Sequence, residues 1–142
     1  MTCSDRLDVV QQVASRTERE RAEQLAEAER KAIDAEQKLV ALERYRDEYE
    51  HELATRGAAG VDISGVREYH AFLARLGEAV LAQRQLLAQA REARDQILNS
   101  WREAAQRAQV VQTLADRWQD EARRDEDRRA QRESDELAQR KR

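Results

Sequence analysis

Apolar residues recur at alternating intervals of three and four along the second half of the chain, and this repeat constrains the fold more than any other feature. Fifteen of seventeen successive a and d positions of the heptad are apolar, against about seven expected from the overall apolar fraction of 40%. A sustained 3.5-residue period is typical of α-helices that wind around one another in a left-handed supercoil. The positions are Val66, Tyr69, Leu73, Leu76, Val80, Gln83, Leu87, Ala90, Arg94, Ile97, Trp101, Ala104, Ala108, Val111, Ala115, Trp118 and Ala122.

A shorter repeat of the same kind lies in the first part of the chain. Eight of nine a and d positions between Leu25 and Leu53 are apolar, and several are alanine, which predicts a narrow seam between the helices. Further upstream, the same register places two charged residues, Glu18 and Arg21, at a and d positions. A separate apolar stripe is present there, so we expect the register to shift. The stripe consists of Leu7, Val10, Val13 and Ala14.

Glycine interrupts the helical pattern at one place. Three of the four glycines lie between residues 57 and 65, and the chain contains no proline. Glycine suits a helix C-terminus and a tight reversal, and Asp62 or Ser64 can cap a following helix. We predict a single coiled-coil hairpin domain over residues 1–142, with a helix at about 5–56, a loop at about 57–64 and a helix at about 65–138.

Two helices joined by so short a loop are expected to fold back on each other as an all-α antiparallel hairpin. With the reversal near residue 60, Leu39 should face Val80, and Leu7 should face the region around Val111. The C-terminal helix then overhangs its partner by about 25 residues, roughly 35–40 Å at 1.5 Å per residue. One continuous rod of ~210 Å is the alternative, which the glycine cluster disfavours. Gly77 either permits a close approach of the helices or is simply tolerated.

Composition and motifs argue against an enzyme. Charged residues make up 39% of the chain and aromatic residues 4%, whereas a compact domain of this length buries roughly 68–70% of its unfolded surface. The sequence has no glycine-rich phosphate loop, no H-E-x-x-H and no paired-cysteine zinc spacing. His51 and His70 are better explained as exposed residues than as metal ligands, and Cys3 has no neighbouring base. We predict no catalytic residue, no cofactor and no metal.

Charge and hydropathy also limit the partners. The formal net charge of −3 provides no positive excess for binding nucleic acid. No segment approaches the ~18 consecutive apolar residues of a membrane span, and the first twenty residues lack the apolar core of a secretory signal. We expect a cytoplasmic protein that does not insert directly into a membrane.

Two surface features invite a functional interpretation. Near the loop, Tyr45, Phe72 and Ala79 occupy g positions, where charge is usual, and g faces g in an antiparallel hairpin. With Leu42, Tyr49 and Leu76 at the seam edge, they either broaden the core or form a patch that binds a partner.

The second feature is the end of the second helix, which bears Trp118 and continues with nine basic and eight acidic residues over positions 117–142. This segment is either a solvated helix held by charge pairs or an arm that becomes ordered inside a ring or against another protein. Because the acids cancel the positive field, an arm that binds nucleic acid is poorly supported.

The chain resembles the flagellar export protein FliJ family over nearly its whole length. Relatives of the YscO type, from virulence-associated secretion, share the architecture but less of the sequence. The resemblance rests on Arg6-Leu7-…-Val10-…-Val13-Ala14, Leu42-…-Tyr45-…-Tyr49, Tyr69-…-Phe72-Leu73-…-Leu76 and Asp135-Glu136-Leu137-Ala138.

This resemblance implies a non-enzymatic stalk and coupling component of the flagellar type III export apparatus, peripheral at the cytoplasmic face of the basal body. Its partners would be the hexameric flagellar export ATPase and the regulator of that ATPase, the membrane export-gate protein, and export chaperones that it escorts. The implied export-gate surface consists of Leu42, Tyr45, Tyr49, Phe72, Leu76 and Ala79. The implied ATPase-facing residues are Leu7, Val10, Val13, Val111, Leu114 and Trp118. Beside this surface, where the family can have a residue with a polar ring, this chain has Gln83.

A generic coiled-coil scaffold that self-associates into a four-helix assembly is the alternative from another functional class. It predicts a mass that rises with concentration and tip aromatics buried between hairpins. A helical arm that binds nucleic acid is a third, weaker hypothesis, which predicts steeply salt-dependent binding.

Overall fold

The fold is all-α and consists of two long helices packed against each other as a hairpin. The computed structural model describes residues 2–60 and 62–141, in which α1 spans Cys3–Ala58 and α2 spans Ile63–Arg140. These described residues contain no strand. Met1, Val61 and Arg142, which the predicted domain and loop included, lie outside the described residues.

The start of α1 is fixed by a capping box that sequence analysis missed. Thr2 Oγ1 accepts a hydrogen bond from the Asp5 N–H at 3.3 Å, and the Thr2 N–H donates to Asp5 Oδ2 at 3.3 Å. The Thr2 carbonyl accepts the first helical bond, from the Arg6 N–H, at 3.2 Å. Because the box satisfies N–H groups that a helix terminus leaves free, α1 begins at Cys3 rather than at about residue 5.

The reversal between the helices is shorter than the predicted loop at 57–64. Gly57 and Ala58 still belong to α1, and the segment from Ala59 to Asp62 separates it from α2. Gly60 has φ +85°, in the left-handed region that a Cβ disfavours. Its N–H donates to the Gly57 carbonyl at 3.4 Å, which closes a tight turn after the helix.

Asp62 rather than Ser64 occupies the capping position of α2. The Asp62 carbonyl accepts a hydrogen bond from the Val66 N–H at 3.1 Å, the first of the second helix. Ser64 lies inside the first turn, and α2 therefore begins at Ile63 instead of at about residue 65.

The chain packs as two compact units, one comprising Glu23–Asn99 and the other Met1–Ala22 with Ser100–Arg142. In the Glu23–Asn99 unit the helices run antiparallel, and the Gln83 Nε2 donates to the Ala35 carbonyl at 3.0 Å. The seam here is buried deepest at Val80, which is 1% exposed. Its other buried members are Ala28, Ala32, Leu76 and Leu87.

The second heptad repeat describes the packed face of α2 correctly. All fifteen a and d positions from Val66 to Ala115 are buried or partly buried, including the two polar ones. Trp118 and Ala122, the last two positions of the repeat, are exposed. The repeat therefore outlasts the partner helix, and packing stops at Ala115.

The expected apolar stripe near the start of α1 is wrong, because Val10 and Val13 are exposed. Leu7, Gln11, Ala14 and Glu18 are buried or partly buried and keep the heptad spacing, and the pattern departs from it only at the next position, where Ala22 is partly buried in place of Arg21. Polar residues occupy the seam because each has a partner across it. Glu18 Oε1 accepts a hydrogen bond from Trp101 Nε1 at 2.9 Å, and the side-chain amides of Gln11 and Gln112 bond to each other.

The last part of α2 packs against no other described element. Every residue from Asp116 to Lys141 is exposed, so about 25 residues of the helix lack a partner, as the sequence predicted. Within residues 2–60 and 62–141, neither helix contains a stretch that is long and apolar enough to cross a membrane.

Candidate interaction surfaces

Four aromatic rings meet beside the seam of the Glu23–Asn99 unit and form what we call the aromatic cluster, Tyr45, Tyr49, Tyr69 and Phe72. The Tyr49 ring is central, with its centroid 4.7 Å from that of Phe72, 4.8 Å from Tyr45 and 6.1 Å from Tyr69. Tyr45 and Phe72 meet edge to face at 6.3 Å, a favoured geometry for aromatic pairs. The two rings therefore lie on one flank, as their g positions predicted.

Polar groups border the cluster without adding charge to its centre. The hydroxyl groups of Tyr45 and Tyr49 share a hydrogen bond of 3.3 Å. This bond, and then repulsion from the charge that Tyr45 would carry on ionisation, raises the pKa of Tyr49 above its ordinary value. The Arg56 guanidinium carbon lies 5.4 Å from the centroid of the Tyr69 ring, a cation–π contact at the edge of the cluster.

The six predicted export-gate residues differ in how far a partner could reach them. Tyr45 is 43% exposed, whereas Leu76 is buried at 8%. Tyr45 therefore faces solvent, whereas Leu76 belongs to the core. The remaining four are partly buried and are Leu42, Tyr49, Phe72 and Ala79.

An apolar groove runs along the other unit, and we call it the terminal groove. Its floor includes the seam residues Ala14, Ala104 and Val111, and its cavity measures ≈ 230 Å³. The remaining lining residues are Val9, Val10, Val13, Thr17 and Arg107. Arg107 supplies the only charged side chain among these lining residues, so the groove is suited to apolar contacts.

The residues predicted to face the ATPase all belong to this unit and fall into two groups. Leu7 is partly buried and Val111 is 9% exposed, so both stabilise the seam. The other four side chains are exposed by between 45% and 60% and are open to a partner. They are Val10, Val13, Leu114 and Trp118.

Two exposed valines in this unit and one ring of the aromatic cluster were not among the residues predicted from the sequence to bind a partner. Val9 and Val110 are 49% and 53% exposed. Val9 precedes Val10 and Val110 precedes Val111, both of which were predicted to face the ATPase. A heptad pattern that considers only a and d positions leaves out such neighbouring residues. Tyr69 was assigned to the seam alone, although its d position opposite Tyr49 could have indicated the contact.

The described residues offer packing surfaces rather than a chemical centre. Within residues 2–60 and 62–141, no three His, Cys, Asp or Glu side chains lie close enough to hold a metal ion. Every buried side-chain nitrogen or oxygen in those ranges has a hydrogen-bond partner. Cys3 is a free, exposed thiol.

Comparison with known proteins points to one family. A family model described as "Flagellar FliJ protein" matches residues 4–141. The chain is 35% identical over 134 residues to the flagellar FliJ protein of Escherichia coli (strain K12). This alignment covers 94% of this chain and 91% of the relative. It is 34% identical, with the same coverage, to the flagellar FliJ protein of Salmonella typhi. No solved structure matches the chain.

Proposed function

Because the chain belongs to the flagellar FliJ family, we propose that it is a non-enzymatic central stalk and coupling component of the flagellar type III export apparatus. In this role it inserts into the hexameric export ATPase, contacts the export-gate protein and escorts export chaperones at the cytoplasmic face of the basal body. The observation that supports the stalk role most is the unpaired end of α2 beside the terminal groove, since both are exposed surfaces of the unit that contains the chain termini.

The unpaired end of α2 is suited to a surrounding partner. Its residues are almost all polar, and a helix that is polar all round is marginal in water when nothing packs against it. Arg128 and Asp125 form an ion pair of 3.5 Å on it, but both side chains are 67% exposed, and such pairs contribute little. Contact with the ATPase subunits and their regulator would stabilise this helix.

The terminal groove would supply the apolar part of the same contact. Val10 and Val13 line the groove, Leu114 lies outside it on α2 of the same unit, and each of the three is at least half exposed. Burying such side chains against a partner gives roughly 25 cal/mol per Å² of apolar surface. Trp118, at 45% exposure, is the aromatic residue of this unit that can serve as an anchor.

A stalk of this kind needs no active site to affect ATP hydrolysis. An asymmetric helical hairpin contacts the subunits of a ring unequally and so favours one conformation in some of them. The stalk changes the hydrolysis rate through this difference in binding free energy. The carboxylates and arginines of the exposed helix faces then serve solubility and contacts rather than catalysis.

The aromatic cluster is the proposed contact with the export gate. Tyr45 is the exposed member, and the partly buried rings of Tyr49 and Phe72 lie 4.8 Å and 6.3 Å from it, centroid to centroid. Aromatic side chains of this type frequently dominate the energy of an interface. Leu76 would act by supporting these rings from the core.

The hydrolysis rate of the purified export ATPase, measured with and without the chain, tests the proposal. A rate that rises and saturates with added chain is expected for the stalk. No stimulation, together with a sedimentation mass that rises with concentration, would instead favour the self-associating scaffold.

A further inference from the structure

The two flanks of the seam in the Glu23–Asn99 unit differ in chemistry. On one flank, ion pairs join the helices at two places one heptad apart, between Arg84 and Glu43 at 3.3 Å and between Arg91 and Glu36 at 3.5 Å. On the other flank, every g position of α2 from residue 72 to residue 93 is apolar. These positions are Phe72, Ala79, Leu86 and Ala93.

This flank has a shallow, open depression on each side of Leu86, and we call the whole the lateral groove. One depression, of ≈ 450 Å³, is lined by Lys38, Ala41, Leu42, Tyr45 and Gln83. The other, of ≈ 230 Å³, is lined by Gln24, Glu27, Ala28, Lys31, Ala90, Ala93 and Ile97. Leu86 lies one helical turn from Gln83 and one from Ala90, so its side chain stands between the two depressions. It is 54% exposed.

The charged g residues that border the groove lie on α1 and not on α2. The α1 side carries Lys31 and Lys38 at successive g positions, whereas the α2 side from Ala79 to Ala93 has no charged residue at g. Lys31 lies 3.7 Å from Glu27, but both side chains are well over half exposed, and a partner carboxylate can compete with so weak a pair. A second copy of the chain would bring two lysines and only one acid of the lining, Glu27, to the interface, so positive charge would remain in excess there.

We propose that the lateral groove binds an amphipathic α-helix of a partner protein, whose apolar stripe packs around Leu86 and whose acidic edge faces Lys31 and Lys38. The groove extends from Ala79 to Ala93 and adjoins the aromatic cluster, with which it shares Tyr45, whereas the terminal groove belongs to the other unit. At 1.5 Å per residue, a helix of about three heptads covers the apolar flank from Phe72 to Ala93. Such a helix converts the hairpin locally into a three-helix packing in which Leu86 is buried.

A synthetic probe peptide tests this without knowledge of the natural partner. The probe is a dye-labelled peptide of about three heptads, with leucine at a and d and glutamate at e and g. Repulsion between its glutamates keeps it from pairing with itself. Its fluorescence anisotropy is titrated with the full-length chain, and a second peptide with lysine at e and g measures the effect of edge charge.

Matched substitutions on the two flanks distinguish binding in the groove from non-specific binding to exposed apolar residues. Leu86→Asp should weaken binding of the glutamate-edged peptide at least tenfold, whereas Leu81→Asp should leave it unchanged. Leu81 is the control because it is 60% exposed on the same helix but lies one turn from Arg84, on the ion-paired flank. Circular dichroism of each variant verifies that the hairpin remains folded.

Charge reversal provides the second test. The double variant Lys31→Glu with Lys38→Glu should bind the lysine-edged peptide more tightly than the glutamate-edged one, the reverse of the natural chain. Absence of peptide binding, equal loss in the Leu81 and Leu86 variants, or no response to edge charge would overturn the proposal. A dimer in sedimentation velocity that Leu86→Asp dissociates would also overturn it, in favour of a second copy as the occupant.

Discussion

Trp101 donates its indole N–H to the Glu18 carboxylate across the seam, with a distance of 2.9 Å between Nε1 and Oε1. Both side chains are partly buried. A carboxylate on an apolar seam is costly unless it is paired, and this bond provides the pairing. The heptad of α1 can therefore pass through Glu18 without a shift in register.

Removing the Glu18 carboxylate should destabilise the hairpin. Glu18→Ala leaves the Trp101 N–H without its acceptor and is expected to lower the free energy of unfolding by about 1–2 kcal/mol. Glu18→Gln keeps an oxygen acceptor and should cost less than half as much. Urea denaturation followed by circular dichroism measures both. Equal stability of Glu18→Ala and the natural chain would show that the bond contributes nothing.

Gln83 should behave in the opposite way. Its amide donates to the Ala35 carbonyl at 3.0 Å, but that carbonyl lies inside α1, where it also accepts a helical bond. Gln83→Leu therefore leaves no acceptor unpaired and should change stability by less than about 1 kcal/mol, or increase it. Gln83→Ala leaves a cavity and should lower the melting temperature. If the leucine variant were the less stable of the two, Gln83 would be more important to the seam than its contacts indicate.

Two glycines should respond oppositely to the same substitution. Neither Gly60 nor Gly77 has any atom within 4 Å of an added Cβ, so packing does not decide the outcome. Gly60→Ala puts a side chain at φ +85° and should cost about 1 kcal/mol, whereas Gly77→Ala, inside α2, should gain about 0.5–1 kcal/mol. Thermal melts of the two variants are expected to shift in opposite directions, and a shift in the same direction would contradict this account. The open space also shows that Gly77 serves no close approach of the helices.

The heptad repeat predicted the helices and most of the packed face because burial along a two-helix seam follows from spacing alone. The helix ends did not follow from spacing. Thr2 and Asp5 bond to each other's backbone at the start of α1, and the reversal depends on the dihedral angle of Gly60. The register near Glu18 also depended on a residue 83 positions away, Trp101, which no local pattern reveals.

Heptad spacing also predicted part of the candidate surfaces. The g positions of Tyr45 and Phe72 placed them on one flank, and the structure has them in contact. Exposure was harder to predict, because Leu76 lies deep in the seam whereas Val10 and Val13 face solvent. The ion pairs that separate the two flanks depend on which acid of α1 lies opposite each arginine, which requires the register between the helices.

Replacing Tyr45 and Phe72 of the aromatic cluster should weaken binding to the export-gate protein. Tyr45→Ala with Phe72→Ala is expected to reduce affinity at least tenfold while helicity is retained, because aromatic anchors often dominate an interface. Val40→Ala is the control, since Val40 is 49% exposed and lies on α1 away from the cluster. Isothermal titration with the purified gate domain gives the affinities. Unchanged binding would show that the rings serve only the core.

Stimulation of the export ATPase by a chain that ends at Asp116 tests the central claim most directly. Packing of α2 stops at Ala115, so this truncation should preserve the melting temperature of the hairpin while removing the helix proposed to contact the ring. The full chain and the Tyr45→Ala with Phe72→Ala variant should both raise the hydrolysis rate, and the truncated chain should not. Full stimulation by the truncated chain would contradict the stalk account.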